Sequence, residues 1–427
     1  MKISRQQLAN LFTYAVLFFL PWQTVWIYDS VGDGEYQKLT HYAVQVLILI
    51  AVLLRWKIEV PEAVKKPIKN GWILYFGVLV SCVFSVDQYL SFAFSFHFLF
   101  ALLLFWLLLD ERLKLERIIG FFVAGLIVPS TLGWWQTLIG TSPALTWLGL
   151  AEHLAEVPGT SVVEIINERL MRAYGTFPHP NIFGGFLATA ILLILWRSRA
   201  WLWVKKKIWV ATLPLLMLLS ATLVITFSRS AWLVLGVGII LIFVWHIIHR
   251  IKISKVFLFN FFVIFATVFI TAGIFHDAVF VRVGATDRLE EKSLVERKSE
   301  YQIIGEVIKV NPFVGVGPGA YTFVLEELNP DQPIWFYQPI HNSFLLFFAE
   351  TGLLGLVVLI YFFGALVFKK NFFFVVSVIS IVFFDHYLWS QWVGLVLAAV
   401  VLAMVLRFDG MEEIRPESRF ERNESRR

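Results

Sequence analysis

Three polar motifs stand at the start of long apolar runs, and their residue types suit acid–base and anion chemistry. His341 and Asn342 precede "SFLLFFAETGLLG"; Arg229 sits between two serines in "TFSRSAW" (Thr226 to Trp232); "GTFPHPN" (Gly175 to Asn181) leads into a third run. An imidazole at a helix N-terminus is a candidate general base, because the local positive potential disfavours imidazolium and keeps the ring neutral near pH 7. The alternative is a histidine that only caps or hydrogen-bonds at the interface. Arg229 offers a planar fork of donors suited to phosphate, or else snorkels at a membrane surface. Asn181, Ser228 or Ser230, and Asn342 have the side chains of N-caps. His179, between Pro178 and Pro180, reads first as part of a stiff turn and second as a substrate contact.

Other polar letters are less specific. "GVGPGAY" (Gly315 to Tyr321) lacks the flanking strand and acid of a dinucleotide fingerprint; it reads as a turn, although its amides could face an anion. Glu350 lies about half a helical turn away from the His341 face, so it is expected to face the bundle and to pair with a positive group. Asp385 and His386 either line the same cavity or sit at the interface. With neither a DxD nor an HExxH motif and no acidic cluster, the expected chemistry uses no metal and no cofactor. No GxSxG elbow supports a serine hydrolase.

The elements that must position these residues are membrane helices. Of 427 residues 58% are hydrophobic, including 42 Phe and 17 Trp, which a soluble domain has no use for. The runs are solid rather than alternating, so the fold class is an all-α integral membrane protein rather than a barrel. Twelve spans are expected, near 8–28, 39–56, 70–86, 91–109, 118–139, 182–198, 207–227, 230–249, 256–275, 342–367, 372–389 and 391–407, within a membrane domain 1–407. The first run has no cleavage site behind it and reads as a retained helix. Most of the 36 Lys and Arg residues then fall on the side of the N-terminus, which orients both termini to the cytoplasm. Two long loops, 140–181 and 276–341, face outward; the second carries a mixed-charge helical stretch and reads as a small extracytoplasmic helical cap between spans nine and ten. Residues 408–427 read as a basic, disordered cytoplasmic tail beside anionic lipids. The net charge of +5 is thereby a topology signal and not a sign of nucleic acid. The lone Cys82 permits no internal disulfide.

"RAYGTFPHPNIFGGFL" (Arg172 to Leu187), "TFSRSAWL", "ERKSEYQIIGEVIKVNPFVGVGPGAY" (Glu296 to Tyr321) and "HNSFLLFFAETGLLG", in this order, resemble the O-antigen ligase and polymerase superfamily over about residues 170–360. The resemblance implies a GT-C-like membrane glycosyltransferase that needs neither a metal nor a nucleotide sugar. It would move a glycan from undecaprenyl pyrophosphate to a hydroxyl of lipid A–core, a growing glycan or a protein, on the outer face of the cytoplasmic (inner) membrane. It places the family's histidine on His341, its turn arginine on Arg229, and its loop arginine on Arg297 with Tyr301 as the following aromatic; Arg288 competes with Arg297. A lone base without a second carboxylate agrees with a single inverting displacement. The alternative from another class is a transporter or flippase for polysaccharide or lipid-linked sugar. That reading expects charges near the midplane, whereas these gather at the outer end.

Overall fold

The computed structural model describes residues 3–32, 34–165, 168–198, 206–284, 288–366, 376–377 and 379–412. Apolar runs become helices because a backbone in hydrocarbon must satisfy its own hydrogen bonds. In chain order, α1 (Arg5–Phe19) opens on a Ser4–Gln7 capping box. The chain then leaves as an antiparallel ribbon of β1 (Val25–Ser30) and β2 (Lys38–Tyr42). α2 (Ala43–Leu54), α3 (Glu62–Val83) and α4 (Gln88–Leu108) follow. α5 (Leu115–Gly125) and α6 (Ile127–Ile139) form one rod interrupted at Leu126, where Pro129 has no N–H for the Gly125 carbonyl.

The next loop builds two more ribbons, β3 (Thr141–Ser142) with β4 (His153–Leu154) and β5 (Val162–Ile165) with β6 (Glu168–Met171). α7 (Pro180–Ser198) is apolar all round and buried nearly throughout. That pattern belongs to a central helix, and α7 packs against α5 and, further along the chain, α8 (Lys206–Ile225), α9 (Arg229–Ile248) and α10 (Lys255–Ile274). Three helices, α11 (His276–Gly284), α12 (Arg288–Val310) and α13 (Tyr321–Leu328), precede α14 (Ser343–Gly364). The chain closes with α15 (Tyr387–Ser390) and α16 (Trp392–Glu412).

Among the described residues, six helices are long and apolar enough to cross a membrane: α4, α5–α6, α7, α9, α10 and α14. The molecule is a mostly helical, multi-pass membrane protein. The sequence-based count of twelve runs higher for physical reasons. The first run stops as a helix at Phe19, ahead of Pro21, and its Val–Trp–Ile–Tyr continuation is strand. The second run loses its first residues to β2. The eleventh contains a 3-10 turn at Ser380–Phe383, then Asp385 and the four-residue α15, while 372–375 lie outside the described residues. From 413 onward the expected tail also lies outside them. The three ribbons were not legible beforehand.

α14 is broken. Gly352 has φ 64° and ψ −165°, a conformation closed to side chains, and the "NPFVGVG" loop enters the break. Val316 and Gly317 donate their N–H groups to the freed carbonyls of Ala349 and Glu350, and Leu353 and Leu354 donate to Pro312 and Phe313. The Glu350 carboxylate accepts from Trp389 Nε1 at 2.6 Å and from the Tyr321 N–H at 3.3 Å. Glu350 is thus held by neutral donors, an indole N–H and a backbone amide. A Cβ at Gly352 would stand 2.5 Å from the Phe313 carbonyl carbon. Gly352→Ala is therefore expected to cost at least about 1–3 kcal/mol from backbone strain alone. Gly236→Ala, on an open face of α9, should leave stability unchanged or raise it by up to about 1 kcal/mol. Thermal melts of the two variants in detergent compare them.

Candidate active site

His341 stands just ahead of α14 and is gripped from α12. Glu300 accepts the His341 backbone N–H at 2.9 Å through Oε2, and its Oε1 lies 2.8 Å from Nδ1. Nε2 makes no hydrogen bond among the described residues, and His341 lines a cavity of about 550 Å³. Burial opposes charge on this ring, but the hydrogen bond and charge of Glu300 outweigh it and raise its pKa above 6.5. The sequence reading took the helix end as the influence on this ring; the Glu300 carboxylate is an opposing one that it did not include. Asn342 is the N-cap of α14, accepting from the Leu345 N–H at 3.0 Å, and its Nδ2 donates to the Tyr301 hydroxyl at 3.1 Å.

Arg229 is the first residue of α9. Ser228 caps that helix, accepting from the Ala231 N–H at 3.3 Å, and Ser230 is only its hydroxyl neighbour at 3.2 Å. The turn before it bends through Phe227 at φ 48°, held by Arg282 Nε donating to the Phe227 carbonyl at 3.0 Å. Arg297 lies one helical turn before Glu300, on the same face of α12. Its Nε is buried without a hydrogen-bond partner, and its charge acts on both Arg229 and His341. Arg288 is elsewhere: its side chain is 73% exposed and donates to Glu164 of β5 at 3.2 Å. The electrostatics therefore couple Arg297 to Arg229 and His341, whereas Arg288 pairs with Glu164.

A second network lies beside the first. Arg172 donates through Nε to the Thr226 carbonyl at 2.8 Å and through Nη2 to Asn181 Oδ1 at 2.6 Å; Asn181 Nδ2 donates to Asp385 Oδ2 at 2.9 Å. The Asp385 backbone carbonyl receives the Ser343 N–H and hydroxyl, at 3.1 and 2.7 Å. Asn181 is thus not the cap that its letter suggested. Pro180 opens α7, and the amide spans two buried charges instead. His179 accepts the Asn181 N–H on Nδ1 at 3.1 Å, which leaves Nε2–H for Ser161 at 3.1 Å. Burial, then Arg172, push its pKa down to about 3, so it is a neutral, fixed wall of the cavity. Ser161, Tyr174, Gln391, His386 and Asp385 line the same cavity, whereas Arg229 and Arg297 do not.

The comparison with known families bears directly on this geometry. Residues 214–360 match the family model described as O-antigen ligase. Over these residues the chain carries an O-antigen ligase domain, which supports its resemblance to the O-antigen ligase and polymerase superfamily. None of the curated proteins matches it. The match covers about a third of the chain and makes it a membrane glycosyltransferase of the ligase or polymerase type. In this O-antigen ligase domain fall Arg229, Arg297, His341 and the Gly352 break; Arg172, His179, Asn181 and Asp385 lie outside it, in elements that fold against it.

Two residues of the site escaped the sequence reading. Glu300 was one acid among several in a mixed-charge helix; only its spacing of three from Arg297 hinted at a shared face. Arg172 lies in the Arg172–Leu187 motif with one partner, Asn181, but its hold on the Thr226 carbonyl, 54 residues along the chain, had no local signal. Asn181→Leu should strand Arg172 and Asp385 together, two buried charges without their bridging amide, and cost on the order of 3 kcal/mol. The readout is a lowered thermal midpoint in detergent, largely recovered in Asn181→Gln where the longer amide reaches both partners.

Proposed function

We propose that this glycosyltransferase takes a glycan from undecaprenyl pyrophosphate and passes it to an acceptor hydroxyl. The acceptor is lipid A–core, a growing glycan or a protein side chain, and the work is done at the outer face of the cytoplasmic membrane, with both termini inside. The observation that carries this reading is His341, its Nε2 unbonded at the cavity wall, with the charge of Arg297 acting on both that ring and Arg229.

In the reaction, the acceptor O–H enters from the cavity and gives its proton to His341 Nε2. Its oxygen forms a bond to the anomeric carbon as the bond from that carbon to the pyrophosphate oxygen breaks, with inversion. The departing pyrophosphate takes the electron pair and is met by the two guanidinium groups. A lipid pyrophosphate is already a stable leaving group, so charge stabilisation serves it better than protonation, while a hydroxyl is a weak nucleophile that gains from a base. No nucleic acid, nucleotide sugar or metal enters this scheme, and the membrane lipids are its solvent.

The test is transfer in detergent from a pyrophosphate-linked oligosaccharide to an acceptor. His341→Ala should lower turnover by about 10²–10⁴-fold, and Arg229→Ala or Arg297→Ala by about 10²–10³-fold each. Arg288→Ala, paired with Glu164 at the surface, should stay within a few-fold of the unsubstituted enzyme. Flux of lipid-linked sugar across sealed vesicles without transfer would replace this reading with a transporter. The pH profile has a determined sign. A base works deprotonated, and the pKa of His341 is raised, so kcat should fall as pH drops, with its midpoint above 6.5.

A further inference from the structure

We propose that Glu300 is the positioning residue for His341, fixing its tautomer so that Nδ1 carries the proton and Nε2 presents a lone pair to the acceptor. The inference rests on the reading of His341 as the base and goes beyond it.

The geometry is that of one carboxylate serving two donors. Oε2 accepts the His341 backbone N–H at 2.9 Å, and Oε1 and Oε2 lie 2.8 and 3.1 Å from Nδ1. A carboxylate only accepts, so Nδ1 must donate; in the neutral ring Nε2 is then without its hydrogen. The partner comes from α12, 41 residues away, so it orients the ring against the start of α14 rather than following it. When Nε2 takes the acceptor's proton, the imidazolium forms beside a carboxylate already in place, and no group has to move to stabilise it. The other groups acting on this ring are Arg297 on α12, and Asp385, His386 and His179 from the segments ahead of α15 and α7. Of these, Asp385 is tied to Asn181 and to the His386 backbone N–H, and His179 to Ser161. Glu300 alone among them hydrogen-bonds the His341 ring.

Glutamine separates this role from simple packing. It keeps the shape but has one acceptor oxygen. If that oxygen takes the backbone N–H, its NH₂ faces Nδ1 and imposes the opposite tautomer, which has no lone pair at Nε2 for the acceptor. Glu300→Gln is therefore expected to lower kcat by about 10²–10⁴-fold with the donor KM within a few-fold. Its residual rate should show an acid limb at lower pH, because the carboxylate that raises the ring's pKa is gone. Glu300→Asp, which keeps the charge one methylene short, should recover part of the rate and the acid limb. In the unsubstituted protein, the ¹⁵N spectrum of the histidine resonance lost in His341→Ala should report protonated Nδ1 and bare Nε2 above the midpoint, a measurement independent of whether any Glu300 variant folds. Unsubstituted kcat and acid limb in Glu300→Gln, or a protonated Nε2 in that spectrum, overturns the assignment of Glu300 while His341→Ala stays inactive. Transfer surviving in His341→Ala overturns the base reading itself, and Glu300 with it.

Discussion

The buried run from Arg172 through Asn181 to Asp385 is the constraint on which this end of the molecule depends. Three helices, α7, α9 and α14, begin here, and each beginning exposes N–H groups and a partial positive charge. Arg172, Arg229 and Arg297 add full charges to the same region. In a medium of low dielectric such an accumulation is unstable unless carboxylates share it. Asp385 does so at several points: its carboxylate takes the Asn181 amide, and its backbone carbonyl takes both donors of Ser343, the first residue of α14. Arg172 in turn holds the carbonyl of Thr226, at the turn that presents Arg229. One polar chain thus fixes the relative position of the three helix starts that carry His179, Arg229 and His341.

The remaining member of the site is α12, and its position is fixed at two points. Toward its middle, Glu300 and Tyr301 hold His341 and Asn342. Beyond its C-terminus, the glycine loop enters the unwound turn of α14 and satisfies the carbonyls that Gly352 frees. A broken helix at membrane depth is tolerated where protein re-satisfies its backbone, and here the same hydrogen bonds make a clamp between the two elements that carry Glu300 and follow His341. Glu350, gripped by Trp389 and the loop, belongs to that clamp. Precision at the reacting atoms comes from helices locked together, not from the loops above them.

What was legible in the sequence was what short range determines. Apolar runs read as helices because each satisfies itself, and Ser228 and Asn342 read as caps because a cap and its N–H partner are three residues apart. Asn181 misled for the same reason: an asparagine before an apolar run has the form of a cap, and its true partner, Asp385, is 204 residues away. Glu300 was hidden among helical acids because its meaning lies with His341. "VWIYDS" misled by composition, since β-branched and aromatic letters serve a strand as well as a span. The family match begins at residue 214 and so covers the arginine turn, α12 and the histidine, but not the network that holds them from outside.

The sidedness of the site ties its chemistry to its architecture. Inversion at an anomeric carbon needs the arriving oxygen and the departing oxygen on opposite sides. The cavity wall is rich in hydroxyls, amides, aromatic rings and imidazoles, with Lys38 and Asp385 as its charged members, and His341 is part of it. Arg229 and Arg297 stand outside that wall, yet the charge of Arg297 is felt at the His341 ring. Under the proposed reaction, a base placed among the guanidinium groups would be held protonless, away from the acceptor hydroxyl. Glu300 resolves the conflict. Standing one turn from Arg297 on α12, it offsets the positive field at His341, as the proposed base requires beside the cations proposed to meet the pyrophosphate.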